Sequence, residues 1–378
     1  MALTLKIMRS PRATTVLLCV TLLSACSAHA SPKATPTATP SATASPTASP
    51  TPRPTVSTVD LLTGTAPRHT GPLVAVKVDN ALLARPFQRG LTSAAVVYQE
   101  LVEGGSTRLL AVLESDAAPD VEVGPIRSAR ETDIDLLRQY GGISIGFSGA
   151  NTGVKAEFNT AARNGYLVNA SYDEIPGAYR LAEHRRDAQN FFTKPGKIAS
   201  RKPGKGPSDI GLRFGALPRG GAPVAAGTAS FSGQSALRFR YAGGRWVLSQ
   251  GGTLLPVSPA NVIIQYVTVL GSRYKDVHGN PTPYTVTTGG GKAVLLRDGR
   301  RLEGRWKRTG YGGTHFVDAA GRDLLLKPGP SWVVLLPSAG SLSTSWATRR
   351  RTPSRRAPAA PPCSATAVRW MRRGSVRQ

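Results

Sequence analysis

Two carboxylates, Glu100 and Glu103, and three guanidinium groups, Arg108, Arg127 and Arg130, crowd one stretch of the chain. The residues around Tyr98 and Glu100 have strand composition, and side chains alternate along a strand, so these two share a face. Glu103 and Arg108 flank the turn Gly104-Gly105. Arg127 and Arg130 bracket Ser128, which is expected to cap a helix with Glu131 three residues on. Open N–H groups at a helix start, together with guanidinium forks, suit a carboxylate or a phosphate. In such a pocket Tyr98, Glu100, Glu103, Arg108, Arg127, Ser128 and Arg130 hold the ligand. Glu100 or Glu103 then serves as a general acid or base, or holds a cation. In the plainer arrangement the same acids and arginines pair with one another and fix a strand–helix junction. The sequence leaves both open. Asp79, Asn80, Arg85 and Asn190 are secondary candidates, and an Asp-Asn pair after a strand caps a turn more often than it holds a ligand.

Other chemistries find little support. Cys19, Cys26 and Cys363 all lie outside the stretch patterned as folded, so no disulfide, thiolate metal site or cysteine nucleophile is expected there. His184, His278 and His315 have no metal-ligand spacing. Ser148 and Ser171 lack a nucleophile elbow. Gly289-Gly290-Gly291 has no helix and no lysine-serine pair after it, which argues against a nucleotide fold. Neither a cofactor nor a metal is expected.

The elements that would position the cluster are mixed. Leu73 to Val78 reads as a buried strand, closed by Asp79-Asn80; Ala94 to Tyr98 and Arg108 to Glu114 read as two more. Ser128 to Tyr140 has a helical apolar face in Ile134, Leu136 and Leu137, and Gly141-Gly142 stops it. A strand over 143–147 and a helix over 151–163 follow. Residues 195–225 read as a long loop. Beyond it the pattern is nearly all β, with turns such as Ala242-Gly243-Gly244 and Asp298-Gly299 between strands. Trp306 and Trp332 are expected to pack in the sheet core. The fold class is therefore α/β in the α+β sense: a layered sheet-and-helix portion over 58–200, a crossover over 201–230 and a β-rich portion over 231–340.

Lys6, Arg9 and Arg12 precede a short apolar run ending in Leu23-Ser24-Ala25-Cys26. That is the pattern of a cleaved leader over 1–25 with a lipid-modified Cys26. Residues 26–57 are almost wholly Ser, Thr, Pro and Ala, too poor in apolar surface to fold, and read as an extended stalk. Residues 341–378 are expected to be a basic, disordered tail or the product of a shifted reading frame. The net charge of +26 includes nine from that tail and three from the leader, which leaves +14 spread over 26–340 without a basic block. Nucleic acid is therefore not an expected partner; a mildly basic surface suits an anionic membrane or wall.

Several motifs resemble the YerB-like lipoproteins, a bacterial family defined by a domain of unknown function, from about Pro72 to Pro337. These are Val76-Lys77-Val78-Asp79-Asn80, Ala84-Arg85-Pro86, Val97-Tyr98-Gln99-Glu100, Val102 to Arg108, Gly124 to Arg130, Gly304-Arg305-Trp306-Lys307 and Pro328-Gly329-Pro330-Ser331-Trp332. The resemblance implies a mixed N-terminal domain and an all-β companion outside the membrane, and no activity. Ala188-Gln189-Asn190-Phe191-Phe192 stands where a Pro-His-Asn-Leu-Tyr-like stretch is implied, so any work done by that histidine in relatives does not carry over. The expectation is a membrane-anchored, extracytoplasmic binder of an anionic envelope component or a partner protein. The alternative is a wall hydrolase using Glu100 or Glu103 as acid/base.

Overall fold

A computed structural model describes residues 58–182, 191–276 and 278–346. Cys26, the leader, the stalk, His184, Asn190 and the chain beyond 346 lie outside the described residues. The first strands are β1 (Leu73–Asp79), β2 (Val96–Leu101) and β3 (Thr107–Glu114), followed by α1 (Glu131–Leu137), β4 (Ile143–Gly146), α2 (Thr152–Arg163) and β5 (Leu167–Asn169). Next come β6 (Tyr179–Leu181), β7 (Phe191–Thr193), α3 (Pro195–Arg201), β8 (Ala222–Pro223), β9 (Ala226–Ser230), β10 (Ala236–Ala242), β11 (Arg245–Gln250) and β12 (Thr253–Leu254). The last are β13 (Asn261–Val267), β14 (Val269–Lys275), β15 (Pro281–Thr285), β16 (Gly289–Arg297), β17 (Arg300–Arg308), β18 (His315–Val317), β19 (Ser331–Pro337) and β20 (Ser341–Ser345).

One large sheet runs through both portions of the chain in the order β18-β17-β16-β13-β19-β2-β3-β1-β4-β5, with β8 paired to β17. Its central strands are covered on both faces, which is why β1 is an almost unbroken apolar run and is buried throughout. On one face α1 and α2 pack Ile134, Leu137, Val154 and Phe158 against Ala75, Tyr98, Leu110 and Val112. On the other, a smaller sheet, β12-β11-β10-β9-β20, and helix α3 cover Val74, Val76, Val97, Ala111 and Val262 through Phe239, Trp246 and Ile198. The outcome is a sheet-rich α+β fold. Asp298 (φ 50) and Gly299 (φ 66) make the left-handed two-residue turn that joins β16 to β17.

Several expected boundaries move. The helix begins at Glu131 rather than Ser128, because Asp133, not Glu131, takes the capping role: it accepts from Arg130 N at 2.7 Å, while Glu131 accepts from the Ser272 hydroxyl at 2.6 Å. The stretch read as a loop contains α3, started by Pro195 and pinned by Ile198, and leads into β8 and β9. Residues 323–326, also strand-like in sequence, form only two isolated bridges among the described residues, Asp323 to Val317 of β18 and Leu326 to Phe214. The tail does not begin at 341, since Ser341–Ser345 forms β20 and pairs antiparallel with β9. Its Ser/Thr composition hid a strand whose backbone closes the edge of the smaller sheet.

Candidate functional site

The helix-covered face of β1, β3 and β2 carries the charged cluster in two rows. Asp79, Arg108 and Glu100 are cross-strand partners in one row; Lys77, Leu110 and Tyr98 form the row behind it. Lys77 is fully buried and donates to Glu100 and, at 2.6 Å, to Asp133 Oδ1 on α1. Two carboxylates around one ammonium leave a negative excess in a dry place. Burial, and then the Asp133 charge, push the Glu100 carboxyl up to about 7 against the pull of Lys77. Its Oε2 finds no hydrogen-bond partner among the described residues.

Nearer the surface, Arg130 Nη2 meets Glu103 Oε2 at 2.6 Å, and the Thr282 hydroxyl donates to the other oxygen at 2.7 Å. Burial works to raise the Glu103 carboxyl, but Arg130 and Thr282 outweigh it and hold it below the usual range. Arg108 Nη1 donates to Ser128 O at 2.8 Å, and Arg130 donates to Ala129 O and Ser128 O at 2.9 and 3.3 Å. Arg127 Nε lies 3.3 Å from Asp79 Oδ2, with its side chain 26% exposed. Burial, then the charges of Arg130 and Arg127, pull the Arg108 guanidinium down to about 10. Three guanidinium groups thus converge where two carboxylates, Asp79 and Glu103, answer them.

The structure brings Glu100, Glu103, Arg108, Arg127, Ser128 and Arg130 together, on Asp79. It adds Lys77 and Asp133, which the spacing argument missed; the available signal was a lysine inside an otherwise apolar run. Tyr98 shares the face but turns away: its hydroxyl lies 2.9 Å from Tyr140 Oη and accepts from Gln139 at 3.3 Å, and burial pushes it up to about 12. The expected helix-start anion site at Ser128 is absent, because the helix starts later and is capped by its own aspartate. Asn80 and Arg85 face the smaller sheet instead. Asn80 Nδ2 donates to Thr107 Oγ1 and Gln250 Oε1 at 2.8 and 2.9 Å, and Arg85 donates to Asn80 O and Gln250 O, each at 3.1 Å. Asp79 Oδ1 accepts from Ala81 N at 3.0 Å, closing the turn after β1. No group of three or more metal-ligating side chains is assembled among the described residues.

A family model described as a protein of unknown function (DUF3048), N-terminal domain, matches residues 62–208, and the corresponding C-terminal domain matches 228–333. The Bacillus subtilis (strain 168) protein described as "Putative lipoprotein YerB" is 34% identical over 120 residues, which is 32% of this chain and 34% of that protein, so the alignment spans about a third of the relative. The crystal structure of the YerB protein from Bacillus subtilis aligns with 75% of this chain and 99% of its own, at a TM-score of 0.63 and 24% identity, a likeness of fold.

Proposed function

The chain belongs to the DUF3048 family, and from that premise we propose that it is a lipoprotein held at the outer face of the cytoplasmic membrane through Cys26, binding an anionic envelope ligand at its arginine junction. The lipobox pattern Leu23-Ser24-Ala25-Cys26 and the description of the Bacillus relative as a lipoprotein support the anchoring. One observation carries the binding: three guanidinium groups converge at the junction, where the charges of Arg130 and Arg127 add to burial in lowering Arg108 despite Asp79 and Glu103, and the Arg127 side chain is 26% exposed at its edge. An anion seated there relieves that repulsion. Catalysis by Glu100 is less well supported. Its raised value suits an acid/base, but it is 2% exposed behind Lys77, and Glu103 is held by Arg130.

The test is thermal unfolding of the whole chain with long-chain polyphosphate, a glycerol phosphate polymer and a neutral glycan. The anionic polymers raise the midpoint of the wild type and the neutral glycan does not. Arg127→Ala removes the gain while Arg127→Lys keeps part of it. Equal stabilisation of wild type and Arg127→Ala overturns the assignment.

A further inference from the structure

On the opposite face of the large sheet, a cavity of about 290 Å³ opens between the turn at Leu91, the start of β11 and the segment Pro330 to Trp332. Its walls are mainly apolar, with Leu91, Val97, Val257, Pro259 and the Trp332 ring outweighing three hydroxyl side chains. Trp332 is 1% exposed and is held in place by its indole N–H, which donates to Gln99 Oε1 at 3.1 Å. No carboxylate lines the cavity. One cation does, Arg245, half-buried at the first position of β11.

Arg245 differs from four deeply enclosed arginines that hold carbonyl groups. Arg85, Arg108, Arg297 and Arg308 each donate to named carbonyl groups. Arg245 has no side-chain hydrogen bond and no ion pair among the described residues. Its nitrogens stay within reach of solvent at the cavity, and a fork with free donors recognises a carboxylate in a two-point fashion. The backbone makes room for it. Gly329 has φ +129, and a Cβ there would lie 3.1 Å from Arg245 Nη1, so the guanidinium rests where a side chain would stand.

We infer that this cavity binds a small apolar monocarboxylate, an alkyl or aryl acid whose body fills the pocket against Trp332 and whose carboxylate pairs with Arg245. Apolar walls with one convergent charged group are the usual make-up of a small-molecule site, and the volume sits at the small end of that range. The site is separate from the arginine junction, since Val97 and Glu100 point to opposite faces of β2. It also gives a role to Pro328-Gly329-Pro330-Ser331-Trp332, which the junction leaves unused.

The experiment titrates the whole chain with octanoate, octanol and acetate, read by tryptophan fluorescence and by calorimetry. Octanoate binds saturably and quenches or shifts the emission; octanol binds more weakly, because it lacks the charge, and acetate does not bind, because it lacks the body. Arg245→Gln weakens octanoate by roughly tenfold or more, the scale of a charged hydrogen bond, and leaves octanol unchanged. Ser258→Phe, on the cavity mouth, abolishes both. Unfolding midpoints equal to wild type show that both variants are folded. No saturable octanoate binding by the wild type, or unchanged octanoate affinity in a folded Arg245→Gln, overturns the inference.

Discussion

A lysine at the centre of Leu-Val-Ala-Val-Lys-Val must either reach water or carry its charge inward, and Lys77 carries it inward to Glu100 and Asp133. Removing one partner from a buried ionic group strands the others, so Lys77→Met should cost roughly 3–5 kcal/mol. Urea unfolding at pH 8 measures it, and a cost under about 1 kcal/mol would sink the account. Glu100 sets a pH dependence whose sign is definite. Its folded value of about 7 lies above the ordinary 4.5. The folded state therefore keeps a proton that the unfolded state releases between those values. The stability this confers is complete below the ordinary value and is lost as pH rises through 7. Glu114, pushed to about 9 by burial and by Asp60, declines in the same direction over an overlapping range. In a Glu114→Gln background, Glu100→Gln should flatten the fall between pH 4.5 and 7; an unchanged slope contradicts it. The same proton governs the junction. With Glu100 ionised, Lys77, Arg108, Arg127 and Arg130 face Asp79, Glu100, Glu103 and Asp133 in balance, and protonation leaves one positive charge in excess. Polyphosphate affinity should therefore rise as pH falls from 8 to 6, and Glu100→Gln should bind at pH 8 as the wild type does at 6. The arginines and glutamates were legible as a cluster because spacing and turn chemistry converge locally. Lys77 with Asp133 was not, because strand and helix meet across 56 residues of sequence.

At the scale of elements, pattern worked where burial is asymmetric or complete and failed where backbone alone makes the element. β1, β3, α2 and the β16–β17 turn are written in apolar runs, helical spacing and an Asp-Gly pair. β9 reads Ala-Gly-Thr-Ala-Ser and β20 reads Ser-Leu-Ser-Thr-Ser, so neither carries a hydrophobic signature. Their smallness has a cause. A Cβ on Gly227 would meet the Phe239 ring and Ser343 O at 2.5 Å each, so the strand is thin because Phe239 lies over it and β20 runs alongside. Gly227→Val forces that stack apart and should destabilise by roughly 1–3 kcal/mol, the scale of overpacking. Denaturant unfolding followed by tryptophan fluorescence reports it, since Trp246 packs on Phe239 with ring centroids 5.7 Å apart. A neutral outcome would mean that β9 is not held between those neighbours.

Across the whole molecule, the two family-model segments are consecutive in sequence and join edge to edge in one sheet, β19 of the second meeting β2 of the first. β19, from the far end of the second segment, lies between β13 and β2 and pairs parallel with both, Val334 opposite Ile264 and Gln99. No periodicity in either stretch reveals a contact made across so much of the chain, because a parallel pairing of this kind depends on the path of the intervening residues. The sequence shows the two compositions, mixed then β-rich, and conceals that they build one sheet. Without β19, strand β2 would present a buried edge, Val96 to Gln99, to solvent, and β13 would lose its neighbour on one side. Residues 58–227 and 228–346 expressed separately should each fail to unfold cooperatively and should bind a hydrophobic dye. Mixed or co-expressed, they should recover one cooperative transition near that of the intact chain. If 58–227 alone unfolds with the midpoint of the whole, β19 is an addition to a finished domain, and the arginine junction is built without it. If only the mixture does, the junction on β1–β3 and the Arg245 cavity on the opposite face share the same central strands, and a ligand at either should raise the single transition of both.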